Sequence, residues 1–429
     1  MRNEYPFEKE YGEVVSPGHP DKLADAIADK IVAVTFRHDS NALVGVEVAT
    51  ALNRVFITGR IGAANRLRMM LDLNVITKEV YSAAGYGKKK SGIIWAPDLD
   101  DIIVDESGLI RDEISEDERE IRSLSDDQSI TVGYAVNSPE TNFIPRAQWL
   151  AWHVMHEIRS LTTKKPDEFG PDAKVLTQVS NDGLRWIFDR LIVSMQHVPS
   201  IDWSEPIRIV YEALYNLKER FRKTGVKCDI DLDAIDLIIN GHGDFSTGGP
   251  MGDNGLSGKK LVMDAYGPMV PIGGGAYSGK DPHKVDRVGA VLARDMALYS
   301  VINEGNPWDI IQLTWAPGKP NYVSLNSGMG VKCSFEHFPE TIRQCVDKYF
   351  QKSAHNLIPE FALKGWYSGF CKAPWEGLLK QNLYIVDRFH TSTPQILYTQ
   401  YSQHVFLNEG IPYNVQVLYH ESGKYIYSF

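Results

Sequence analysis

GGGAYSGKDPHKVDR, residues 273–287, joins a glycine-rich loop to the start of a helix. Three consecutive glycines let the backbone approach a ligand closely, and a further glycine, Gly279, stands directly before Lys280. Free amides beside an ammonium are what an oligophosphate requires. Beyond Pro282 the apolar positions Val285, Val288, Val291, Leu292, Met296 and Tyr299 repeat at helical spacing, so Lys284, Asp286 and Arg287 fall in the first turns. The positive helix end favours phosphate there, and Asp286 could hold a divalent ion among the phosphate oxygens. Gly274–Lys280 fits the first half of a nucleotide-triphosphatase loop. Asp281, however, stands where Ser or Thr would ligate magnesium, and PMVPI upstream breaks the strand context. A plain surface hairpin fits poorly, because the loop runs straight into an apolar helix.

A second cluster of the same chemistry lies in SPGHPDKLADAIADKIVAVTF, residues 16–36. Leu23, Ala24, Ile27, Ile31 and Val34 share one helix face, entered through Pro20 and Asp21, so His19, Asp21 and Lys22 crowd its start. Alone, His19 or Asp21 would read as a cap. Two such clusters, each with an aspartate able to share a phosphate-bound ion, point to function. Asn at position 21 or 286 is then expected to cost activity far more than folding.

Composition bounds the class. The 429 residues are 43% apolar and 23% charged with net charge -10, enough for two or three soluble domains. That charge argues against a nucleic-acid surface, no run reaches membrane-spanning length, and the start lacks a signal core. The four cysteines have no C-x-x-C spacing, so a cytoplasmic enzyme is expected.

Along the chain, residues 42–57 read as strands, with Glu47 between apolar neighbours requiring a cation, a lysine or a solvated face. Residues 64–83 fit an amphipathic helix and GYGKKKSG, 85–92, a solvated loop. Asp98–Gln128 is acidic and reads as a linker or a mobile lid. Residues 143–161 form a helix on which His153 and His156 are surface or packing residues rather than a metal pair. Residues 173–198 make a hairpin around NDG, with Lys174 at its beginning, and 213–225 another helix. HGDFSTGGPMGDNGLSGKKLVMDAYG, 242–267, is a further glycine-rich region carrying Phe245, able to stack on a base, with Asp253, Lys259 and Lys260. A helix, the strand IIQLTWAPG, helix-like TIRQCVDKYF and an aromatic tail follow. Strand, helix and glycine loop recur in three blocks, expected as α+β domains at 1–115, 116–240 and 241–429.

GHPDKLADAIADK, DDQSITVGYAVN, PDAKVLTQV, FSTGGPMGDNGLSGKKLVMDAYG and GGGAYSGKDPHKVDR together resemble the S-adenosylmethionine synthetase family, and the resemblance fades after about residue 335. It implies three similar α/β-sandwich-like domains in a pseudo-threefold arrangement, and a homodimer or dimer of dimers with active sites between subunits. The implied reaction joins the sulfur of L-methionine to C5′ of ATP and expels tripolyphosphate, which is hydrolysed to diphosphate and phosphate. A thioether needs no general base, so such a protein must stabilise a departing polyanion.

Carried over, His19 contacts the leaving phosphate, Asp21 and Asp286 bind Mg2+, and Glu47 binds K+. Lys174, Lys260, Lys280 and Lys284 surround the phosphates, with Lys284 also near the methionine carboxylate. Phe245 stacks on adenine, Asp127 meets the ribose, Asp253 the methionine amine, and Glu13 and Lys259 line the nucleotide. The chain departs from the family at Lys259 (Arg), Ser129 (Gly) and Asp244 (a positive charge). It also has Arg60 for a glutamate facing the amino acid and Trp95 for a glutamine holding it. The altered acceptor half leaves room for another thioether, for triphosphate cleavage alone, or for a non-catalytic partner of an active synthetase.

Overall fold

The computed structural model describes residues 9–39, 41–63, 71–141, 143–181, 185–329, 335, 338–347, 418–419 and 425–426. In chain order the elements are β1 (Lys9–Val15), α1 (Pro20–His38), β2 (Leu43–Ala51), β3 (Arg54–Gly62), α2 (Leu73–Ala84), β4 (Gly87–Lys88), β5 (Ile94–Trp95) and β6 (Ile103–Asp112). There follow α3 (Glu116–Ile121), β7 (Ser129–Val136), α4 (Arg146–Thr162), β8 (Phe169–Asn181), β9 (Trp186–His197), α5 (Ser204–Thr224), β10 (Cys228–Asp229) and β11 (Asp236–Ile239). Then come β12 (Gly255–Leu256), α6 (Leu261–Asp264), α7 (Val285–Asn303), β13 (Trp308–Trp315), β14 (Ser324–Ser327) and α8 (Ile342–Val346), with a small pair β15 (Leu418–Tyr419) and β16 (Tyr425–Ile426).

One pattern recurs: a helix, a β-hairpin, a second helix, and a strand parallel to the second hairpin strand. It runs α1, β2, β3, α2, β6 and then α4, β8, β9, α5, β11; α7, β13, β14, α8 repeat its described part. In each unit the first helix lies on its sheet and the second helix packs on the first, except that α8 follows a shorter hairpin. The apolar stripes explain why. Leu23, Ile27 and Ile31 of α1, and Val288, Leu292 and Met296 of α7, are wholly buried.

The edge strand of each sheet comes from elsewhere in the chain. β1, preceding α1, pairs antiparallel with β8, bringing Val15 opposite Lys174. β7, preceding α4, pairs with β13, and β12, preceding α7, pairs with β2. Each unit thus gives a strand to the next, cyclically. Each donated strand carries a glycine beneath the receiving unit's helix: an added Cβ would lie 2.1 Å from Ala147 O at Gly12, 2.0 Å from Ala293 C at Gly133 and 2.2 Å from Pro20 C at Gly255. Helix backbone rests directly on strand backbone at all three places, which no larger residue permits.

The acidic stretch 98–128 corrects the linker or lid expected of it. β6 pairs parallel with β3, α3 is closed by a Ser115–Glu118 capping box, and buried Arg122 binds Asp281 at 2.6 Å and Ala42 O at 2.8 Å. As an edge strand β6 has no buried residue, so it lacked the apolar alternation that marks a strand. GYGKKKSG likewise begins in paired structure, Gly87 opposite Trp95, rather than as a free loop. His153 is a packing residue as expected, 2% exposed against Trp149, and burial holds its pKa well below normal. The first part of the helix expected at 64–83 and the aromatic tail lie largely outside the described residues. No described helix is long and apolar enough to cross a membrane.

Candidate functional site

Strand exchange assembles the first group of site residues at the start of α1. His19 is the N-cap, its Nδ1 accepting from Asp21 N at 3.2 Å, so in the neutral ring Nε2 carries the proton and is the donor. Burial pushes the His19 pKa down to about 4, and Lys260 and Lys174 push the same way against Asp21 and Asp253, leaving it neutral near pH 7. The Asp21 side chain is 0% exposed, its Oδ1 accepting from Leu256 N of β12 at 2.9 Å. Lys260 Nζ stands 2.9 Å from Oδ2 and Lys259 Nζ 3.6 Å from Oδ1. Burial alone would raise its pKa, but Lys260 and the Leu256 amide overcome this and hold the carboxyl below its usual range.

Around this centre, Lys174 on β8 pairs with Glu13 on β1 at 3.1 Å. Lys259 and Lys260 line, with Glu13 and Gly273, a cavity of about 500 Å³, within the range of small-molecule sites. Phe245 is half-buried and tied to His197 by its backbone, its N accepted by the ring Nε2 at 3.2 Å. Asp253 caps Asn254 N at 2.8 Å, close enough to His19 to raise its pKa.

The second group stands at the start of α7. Gly279, at φ +78°, turns the chain beside β2, where Val46 N donates to its carbonyl at 2.9 Å. Asp281, 0% exposed, accepts from Val44 N at 2.8 Å and from Arg122 and His283 N. The residue that excluded a triphosphatase loop is therefore a structural lock. Lys280 is ion-paired with Asp286, which also accepts from Ser129 Oγ at 2.6 Å, and Lys284 is ion-paired with Asp126. Asp127 is exposed beside them and caps Gln128 N at 2.7 Å. The Ser129 departure thus supplies a hydrogen bond to Asp286.

Among the described residues no hydrogen bond or ion pair joins the two groups. α1 lies between them. Asp21 heads it, whereas Asp29 on it holds Arg287 of α7 at 2.8 and 3.0 Å, a rise of about 12 Å along the axis.

Glu47 lies on the exposed face of β2, the solvated alternative for a carboxylate in that strand. No cluster of three acidic, histidine or cysteine ligands occurs among the described residues, whereas magnesium characteristically takes one or two carboxylates plus phosphate oxygens. Asp21 fits that role: its buried Oδ2 has Lys260 Nζ, at 2.9 Å, as its near partner, and a carboxylate oxygen carries a second lone pair that a cation can take.

The departures are accommodated internally. Arg60 lies between Asp112, 2.9 Å from its Nε, and Glu118, 2.6 Å from its Nη1, and those acids raise its pKa while Glu118 falls to about 2. Trp95 is 5% exposed, donating Nε1–H to Pro166 O at 2.7 Å. The sequence reading missed Asp172, two residues before Lys174. It is buried, accepts from Gly249 N at 2.8 Å, and burial raises its pKa to about 6 despite that bond and Arg159.

Sequence models of the S-adenosylmethionine synthetase N-terminal and C-terminal domains match residues 10–103 and 247–383. Over 356 residues the chain is 31% identical to the S-adenosylmethionine synthase of Borrelia garinii subsp. bavariensis, covering 82% of this chain and 88% of that protein. The chain belongs to the S-adenosylmethionine synthetase family. The synthase of a Sulfurovum species is 30% identical over 85% of this chain and 90% of its own. A solved structure, described as an unusual S-adenosylmethionine synthetase from Campylobacter jejuni, superposes with a TM-score of 0.71 at 25% identity, over 86% of this chain and 95% of that one. The family match runs to residue 383, past the point near 335 where the motifs fade from view.

Proposed function

We propose that this family member transfers the adenosyl group of ATP to the sulfur of L-methionine, in sites each completed by a second copy of the chain. The observation that carries the reading is the neutral His19 donor with Lys259 and Lys260 around buried Asp21, the two lysines also lining a cavity large enough for a nucleotide. A lone pair on methionine sulfur forms the S–C5′ bond while the C5′–O bond breaks. Its electrons leave on the triphosphate, giving a sulfonium without any proton transfer. His19 Nε2–H and the ammonium groups of Lys174, Lys259 and Lys260 face the charge that develops on the leaving oxygen. A magnesium ion held by Asp21 or Asp286 and phosphate oxygens would neutralise the same charge. Water attack on a terminal phosphorus then breaks its bond to the bridging oxygen, which leaves on diphosphate, giving diphosphate and phosphate with the water proton passing to the solvent.

The separation of the two groups along α1 supports a homodimer, alone or paired into a dimer of dimers, with Lys280, Lys284, Asp286 and Asp127 of one copy facing His19, Asp21 and Phe245 of the other. In this reading Phe245 stacks on adenine, Asp253 meets the methionine amine and Glu13 orients Lys174. Glu47 offers one exposed carboxylate toward K+, and no step is derived through that ion. Because Asp112 and Glu118 engage Arg60, methionine is favoured over an acceptor with an extra acid.

Incubation with ATP, methionine and Mg2+, followed by mass spectrometry, is expected to give the sulfonium nucleoside in step with diphosphate and phosphate. Phosphate release without the sulfonium would overturn the reading. Activity is expected to fall with dimer dissociation on dilution, followed by sedimentation; full activity in a monomer would refute the shared site.

A further inference from the structure

Between the first two units, behind the His19 loop, is a cavity of about 190 Å³ that the proposed reaction does not use. Its walls include Lys89, Trp95, Arg159, Pro166 and Phe169, with small residues Ala83 and Gly85 leaving the space. Arg159 is 5% exposed, donates Nη1–H to Gly170 O at 2.9 Å, and its buried Nε has no hydrogen-bond partner in the described structure. Lys89 Nζ reaches only backbone carbonyls, those of Gly85 and Tyr86. Among the described residues neither cation has a carboxylate within ion-pair distance. Two positive groups therefore share one cavity and donate only to backbone carbonyls, with Asp172 acting on Arg159 and Asp167 on Lys89 from beyond ion-pair distance, while Trp95, Phe169 and the prolines make the remaining wall apolar.

Burial lowers the pKa of both, and Arg159 lowers that of Lys89 further; Asp167 opposes this at Lys89 and Tyr86 and Asp172 at Arg159 without cancelling it, and an anion between the two cations would relieve the rest. The volume is that of a compact six-membered ring: a cavity of about 150 Å³ holds benzene. We propose that this cavity binds a small monocarboxylate with a compact apolar body, the carboxylate between Lys89 and Arg159 and the body against Trp95. The inference is independent of adenosyl transfer.

Titration calorimetry of the full chain with sodium benzoate, without ATP or methionine, tests it, with benzamide as the neutral isostere. Benzoate is expected to bind and benzamide to bind at least tenfold more weakly, the range expected when a charged hydrogen bond is lost, roughly one to two decades. Lys89→Met should weaken benzoate about tenfold, and Ala83→Leu, which fills the cavity from the last turn of α2, should abolish binding, with circular dichroism confirming that both variants fold. No binding by the wild type, equal binding of benzamide, or benzoate affinity unchanged in both variants would overturn the proposal. So would displacement of benzoate by a non-hydrolysable ATP analogue, which would place the anion among the phosphate lysines instead.

Discussion

The starts of α1 and α7 use one vocabulary, an aspartate in the first turn with lysines and glycine near it, yet their surroundings differ. Asp21 has a side chain 0% exposed and is locked by an amide from a strand donated by another part of the chain. The Asp286 side chain is 21% exposed and held by Ser129 and Lys280. One is a finished, buried electrostatic centre, the other an open rim suited to meeting a second surface. The same residues at a helix start thus acquire different duties from what packs on them.

Substitution by Asn separates the two most strongly. Asp21→Asn and Asp286→Asn are each expected to lower kcat/KM about 100- to 1000-fold, the scale of losing one charge-stabilising group at a reacting centre. Only Asp21→Asn should also destabilise the fold, by about 3 kcal/mol, because it leaves Lys260 beside a buried site without its counter-charge. Asp286→Asn should stay within about 1 kcal/mol. This revises, for Asp21, the expectation that either change spares folding. Urea unfolding beside steady-state kinetics checks both; equal stability losses would erase the distinction.

Acid behaviour sharpens the contrast further, through His19 and Asp172 at the α1 end. His19 lies near 4 in the fold against its ordinary 6.5, so the unfolded chain binds more protons between these limits and stability rises with pH there. Asp172, near 6 against 3.8, acts in the opposite sense: its stabilisation, full below 3.8, is lost as pH rises through about 6. Asp172→Asn, whose Oδ1 can still accept from Gly249 N, should leave the histidine effect unopposed. It should steepen the loss of stability from pH 6.5 down to 4 by on the order of 2 to 3 kcal/mol, whereas His19→Asn should flatten it. Denaturant unfolding across that range measures both slopes, and unchanged slopes would show that neither group is shifted.

The smallest effect is expected at Arg60, beside the α7 end. Arg60→Ala should change stability by no more than about 1 kcal/mol, since its ion pairs are partly solvated, and leave KM for methionine unaltered. A tenfold rise in KM would put Arg60 on the substrate and make the α7 rim a specificity surface.

Much of this molecule can be read from local pattern. Leu23, Ile27 and Ile31 mark α1, the run to His197 marks β8 and β9, and the glycine-lysine motifs mark both phosphate clusters, because helix periodicity, hairpin alternation and backbone access are written within a few residues of one another. β6 was missed because an edge strand with no buried residue has no alternation to show. Asp172 was missed because its burial, which raises its pKa, and its bond to Gly249 N, 77 residues away, both arise from distant segments. The cyclic exchange of β1, β7 and β12 was equally invisible, since strands join through backbone amides and carbonyls that every residue but proline carries alike. Amino-acid order alone therefore determined which glycine, lysine and aspartate residues stand together at helix starts and which segments are helix or hairpin. Only the tertiary structure decided that Leu256 N would close on Asp21, that Arg60 would face two acids, and that one chain would hold its two lysine-aspartate groups at the start and the middle of a single helix, because desolvation and cross-strand pairing exist only once distant segments meet.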